Sequence, residues 1–97
     1  MLDKNKINYI DQYSILEREE ENLKIVIWPD DPYWIMVEEE TAKLIGYING
    51  HTFGEIIHLI EKSLKKKIEE LDVMELLEHL KMVNVLYQEG ELHEEEK

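Results

Sequence analysis

The stretch YWIMVEEETAKLIGYINGHTFGEII, residues 33–57, decides how this chain is read. Its first five residues are apolar and of the aromatic and branched types that suit a pleated strand. Glu38, Glu39 and Glu40 follow, where negative charge suits the positive end of a helix dipole. The next eight residues repeat at helical spacing, with Thr41, Leu44, Ile45 and Ile48 as an inner stripe. Gly46 falls inside that helix, at some cost in propensity, so close approach by a neighbouring backbone is expected there. Asn49-Gly50 stops the helix, because glycine takes the positive φ needed past the last turn. Thr52 then caps a second helix, and Glu55 completes a Thr-x-x-Glu capping box that satisfies two backbone donors at its start.

Upstream, LKIVIW at 23–28 is a strand by its β-branched content, and Pro29-Asp30-Asp31-Pro32 is a turn by the geometry its prolines and aspartates favour. If those four residues close a simple hairpin, Trp28 lies opposite Tyr33, Val26 opposite Ile35 and Lys24 opposite Val37. One face then carries Lys24, Val26, Trp28, Tyr33, Ile35 and Val37, and the other Leu23, Ile25, Ile27, Trp34 and Met36. Both are apolar, although an exposed antiparallel hairpin should show a polar side. One face is expected on the helices. The other needs a cover: neighbours of the first strand, the N-terminal arm, a second copy or a partner protein.

The first strand is YSILER at 13–18, joined to the next by the charged run 19–22. Residues 1–12 fit neither period and are open between an arm, an extra strand and a disordered lead-in. Downstream, the second helix runs from Phe53 to about Lys65 and buries Phe53, Ile56, Ile57, Ile60 and Leu64. Lys65-Lys66-Lys67 sits at its C-terminal end, where positive charge is favourable. A third helix carries Val73, Leu76, Leu77, Leu80 and Val83, beginning either at an Asp72/Glu75 capping box or a turn earlier near Glu69. Asn84 ends it, residues 85–87 are a short extended piece, and 89–97 form an acidic tail expected to be disordered. The predicted fold class is α+β: a three-stranded antiparallel sheet followed by three helices, winged-helix-like, with an arm at 1–12, a domain at 13–88 and the tail at 89–97.

Composition bounds the function classes. The chain has 97 residues, of which 43% are hydrophobic, enough for one small domain. It has no cysteine, which excludes disulfides and thiolate chemistry, and a cytoplasmic location is the simplest expectation. No apolar run reaches the length of a signal peptide core or a membrane span. Net charge is −12, from 23 acidic and 11 basic residues. Duplex binding needs a basic face. The one basic cluster is 65–67, and the candidate recognition helix carries Glu75, Glu78 and Lys81, so nucleic acid is not an expected partner. His51, His58, His79 and His93 lack ligand spacing, and phosphate loops and nucleophile elbows are absent. No catalysis, metal or organic cofactor is expected.

The order Val37-Glu38, Thr41-Ala42, Asn49-Gly50, Thr52-x-x-Glu55-Ile56 and Asp72-Val73 resembles the PqqD-like family of peptide recognition elements, over residues 13 to 88 or so. Glu38, Asn49 and Asn84 stand where that family usually has Asn, Asp and Gly. The resemblance implies a non-catalytic module that captures the leader of a ribosomally made precursor peptide by strand addition. It would present that leader to a modifying enzyme, either a radical S-adenosylmethionine enzyme or a peptidase. The peptide site is then expected along Tyr33, Trp34, Ile35, Met36 and Val37, with Val73, Leu76, Leu77 and Leu80 as the helical wall. Pro32, which lacks an amide donor, fits a third strand on the sheet edge. The alternative class is a winged-helix regulator or a dimeric assembly domain, since the two-faced hairpin also serves a homodimer.

Overall fold

A computed structural model describes residues 2–17 and 22–91. Chain order is β1 (Asn8–Ile10), β2 (Ser14–Glu17), β3 (Leu23–Trp28), β4 (Tyr33–Glu38), α1 (Glu39–Ile45), α2 (Phe53–Leu64), α3 (Glu70–Met82) and β5 (Leu86–Gln88). The fold is α+β, with β2, β3 and β4 as a three-stranded antiparallel sheet followed by the three helices. The turn at 29–32 sets the hairpin register expected of it: Trp28 opposite Tyr33, Val26 opposite Ile35 and Lys24 opposite Val37. Strand β2 pairs along the other side of β3, with Leu16 opposite Ile25 and Ser14 opposite Ile27.

Alternation then divides the side chains. Val26 and Trp28 are fully buried and join Leu44, Ile45, Ile48, Phe53, Ile56, Ile60, Val73, Leu77 and Leu80 in the core. Tyr33, Ile35 and Val37 pack half-buried against the same core. Trp34 and Met36 point the other way and are exposed.

Helix ends follow local chemistry. Thr52 N donates to Glu55 Oε1 at 2.8 Å and Thr52 Oγ1 accepts from Glu55 N at 3.4 Å, so the capping box forms. Gly50 takes φ 84° in the turn before it. At the end of α3, Asn84 at φ 67° donates to Lys81 O, and Val85 N reaches Leu80 O, the paired bonds of a Schellman cap. Of the two starts left open for α3 the earlier one forms, and α1 ends sooner than expected, at Ile45 and not at Asn49-Gly50. Helix α3 begins at Glu70 behind Glu69, so Asp72 lies in its first turn and forms no capping box. Gly46 is the C-cap of α1, and its nearest neighbour from elsewhere in the chain is the Tyr13 hydroxyl, 3.7 Å from where a Cβ would sit, not a backbone.

The N-terminal segment, open in the sequence, is a strand: β1 pairs antiparallel with β5 in a second, two-stranded sheet. Asn8 and Gln88 are buried polar residues within it. Gln88 Nε2 donates to Asn8 Oδ1 at 3.0 Å and to Asp3 O at 2.7 Å, while Gln88 Oε1 accepts from Asp3 N. Asn8 N and Nδ2 donate to His51 O, and Gly50 N donates to Asn8 O. This stitches both ends of the domain to the turn between α1 and α2. Glu89 to Glu91, expected to open a disordered tail, are held here: Glu89 N donates to Ile7 O and Glu91 pairs with Lys81. The remainder of that tail, 92–97, lies outside the described residues, as do 18–21.

Candidate functional site

Strand order β2-β3-β4 leaves β4 at one margin of the sheet, where a further strand can add. What distinguishes this margin from the one at β2 is a helix beside it. Tyr33, the first residue of β4, reaches α3 through its hydroxyl, which lies 2.5 Å from His79 Nε2. That contact fixes which flank of α3 faces β4. With about 100° per residue, Asp72, Leu76, His79 and Val83 form one row along a helix. Leu76 and Val83 are half-buried apolar members of that row and pack against the same core as Tyr33, Ile35 and Val37.

The predicted residues divide accordingly. Tyr33, Ile35 and Val37 face the helices, and with Leu76 they are the accessible apolar members of the proposed groove. Trp34 and Met36 are on the opposite face. Val73, Leu77 and Leu80, expected as the wall, are buried to 1% exposure or less and belong to the core. The reason is geometric: the most regular apolar stripe of an amphipathic helix is the one that meets the core, and a groove is lined by the next row. His79 belongs to that next row and was missed as a site residue. Its signal was the Leu76–His79 spacing of i, i+3, which sequence alone could not orient.

The electrostatics are acidic at one end. Glu38, Glu39 and Glu40, with Asn22 and Leu23, line an open hollow of about 500 Å³ where β4 runs into α1. Glu75 is exposed on α3. Glu78 lines a hollow with Leu2, Lys81 and Met82 on the flank facing the N-terminal segment. Lys66, in the basic cluster, is 2.6 Å from Glu40, which ties the end of α2 to the start of α1. Among the described residues, no three His, Asp or Glu side chains converge as metal ligands, and no helix is long and apolar enough to cross a membrane.

Comparison with family models, with curated proteins and with solved structures finds no match to this chain.

Proposed function

We propose that this chain is a non-catalytic peptide-binding module of the PqqD-like kind, which takes an extended precursor leader as a fourth strand along β4. The observation that carries this reading is a free sheet margin whose half-buried apolar side chains, Tyr33, Ile35 and Val37, face the helices, with Tyr33 reaching His79 on α3. An unpaired apolar margin is an aggregation hazard unless something covers it. A peptide strand would satisfy the free backbone groups of β4, and its alternate side chains would enter the space before α3. Glu38, Glu39 and Glu40 favour basic ligand residues at that end. The bound leader would then be presented to a modifying enzyme, a radical S-adenosylmethionine enzyme or a peptidase.

The test is titration of the chain with synthetic candidate leaders, followed by amide chemical shifts. Shifts concentrated on 33–38 and on Leu76 and His79 support the reading. Saturable binding whose shifts cluster on 65–67 and bypass β4 overturns it.

A further inference from the structure

The face of the sheet turned away from the helices carries Leu16 from β2, Leu23, Ile25 and Ile27 from β3, and Trp34 and Met36 from β4. Trp34 is 60% exposed, Leu16 52% and Met36 41%. Solvated antiparallel faces are normally polar. Among the described residues nothing covers this one, and the N-terminal segment that could have done so is engaged with β5. Six residues along three strands make a patch of roughly 20 Å by 14 Å.

Charge around the patch identifies its occupant. Glu38, opposite Leu23 on the patch's own face, stands at one end of the sheet with Glu39 and Glu40 beyond it, and Asp30 and Asp31 stand at the other. Lys24 belongs to the opposite face, where its Nζ lies 2.8 Å from Glu17 and 3.9 Å from Glu39. A second copy docked face to face would set acidic end on acidic end, or acidic end on Asp30 and Asp31. Both arrangements repel. We propose that this face docks a partner protein whose own surface is apolar at its centre and bordered by lysine and arginine. The inference is independent of peptide capture, which uses the inward side chains and the free margin of β4.

The probe is a synthetic amphipathic helix of leucine and lysine, with a leucine–glutamate helix as its counterpart, titrated into the full-length chain. Because Trp28 is buried, a change in tryptophan emission reports on Trp34. The expected result is saturable binding of the lysine helix alone, with amide shifts on Leu16, Ile25, Ile27, Trp34 and Met36. Trp34→Ser and Leu16→Ser, both at exposed positions, should each weaken it about tenfold while far-ultraviolet dichroism stays unchanged. Unchanged affinity in both variants, or shifts confined to the acidic residues of α3, overturns the proposal. So does a dimer in sedimentation that Trp34→Ser dissociates, which would make the occupant a second copy.

Discussion

The phenolic oxygen of Tyr33, at the start of β4, lies 2.5 Å from Nε2 of His79 on α3, and the two rings are 6.1 Å apart. Tyr33 in turn packs 5.8 Å from Trp28, and Trp28 5.7 Å from Tyr13. A row of four rings therefore runs from the lead-in of β2, through the core, to the exposed flank of α3. Its outer bond is the cross-tie that holds the marginal strand against the helix.

Removing that tie should be measurable. Tyr33→Phe keeps the ring packing and loses one hydrogen bond, so a loss of about 0.5–1.5 kcal/mol is expected in urea denaturation. Burial raises the Tyr33 hydroxyl above its ordinary 10.0, so the folded state favours the neutral phenol. That contribution is complete below pH 10.0 and is lost as pH rises through the folded value. The Phe variant should consequently lose less stability than the parent at alkaline pH. Tyr13, raised by the same cause, keeps part of the alkaline decline in both proteins. Parallel alkaline curves for the two proteins would remove Tyr33 from the account.

Glu91 predicts the opposite pH limb. Its carboxylate accepts from Lys81 Nζ and, at 2.7 Å, from Gln88 N. The Lys81 hydrogen bond chiefly holds its carboxyl below the ordinary 4.5, helped by the Gln88 amide and the charges of Lys81 and Lys6, while burial pulls the other way. A depressed carboxyl contributes stability above pH 4.5 that disappears as pH falls through the folded value. The Gln88 amide shift should therefore titrate with a midpoint below 4.5, and Glu91→Gln should abolish that titration. A midpoint at 4.5 or higher contradicts the pairing.

What was legible in the sequence was local. The turn at 29–32 and strict alternation placed Trp28 opposite Tyr33, and Thr52 with Glu55 announced a helix start, because each involves neighbours a few residues apart. The β1–β5 pairing joins the two ends of the chain through short strands whose key buried residues, Asn8 and Gln88, are polar. Apolar periodicity is blind to such a sheet. For α3, periodicity identified the stripe of Val73, Leu77 and Leu80, but a stripe states only which side is buried. That His79 faces β4 follows from where the sheet lies, which is a tertiary fact.

Lys65 ends α2 in the left-handed region, at φ 57°. A side chain there is strained by contact of its Cβ with the backbone, typically by about 1–2 kcal/mol per residue. Lys65→Gly relieves the strain and loosens the unfolded chain, two effects of opposite sign. A net gain of about 0.5–1 kcal/mol is expected from chemical denaturation. Asn84→Gly, at φ 67°, should gain less, because Asn tolerates this conformation better than Lys. Equal gains at the two sites would argue against conformational strain as the cause.

Gln88 should be the most sensitive polar position. It is 2% exposed and satisfies Asp3 and Asn8 at once. Gln88→Leu fills similar volume but leaves Asn8 Oδ1 and the Asp3 amide without this partner, a loss of about 2–3 kcal/mol. In a domain of this size that lowers the melting temperature by roughly 10–20 °C. Deleting residues 2–7 should act in the same direction, since it removes Asp3 from the network. A fully stable truncated chain would mean that the two-stranded sheet is an ornament on the domain and not part of its support.

The inward and outward side chains of β4 give the sharpest test of peptide capture. An added strand would leave Trp34 on the far face, so Trp34→Ala should leave leader affinity within about twofold, whereas Val37→Ala and Leu76→Ala, which remove apolar surface bordering the groove, should each weaken it about three- to tenfold. Ile35→Pro removes a backbone donor from β4 and should weaken binding more than it alters the helical dichroism. Lys65→Ala, at the end of α2, should leave affinity nearly intact. Calorimetric titration of each variant with one leader peptide measures all five. The ordering is the critical outcome, because generic stickiness of the sheet would make Trp34, the most exposed aromatic side chain of the hairpin, the most costly residue to lose.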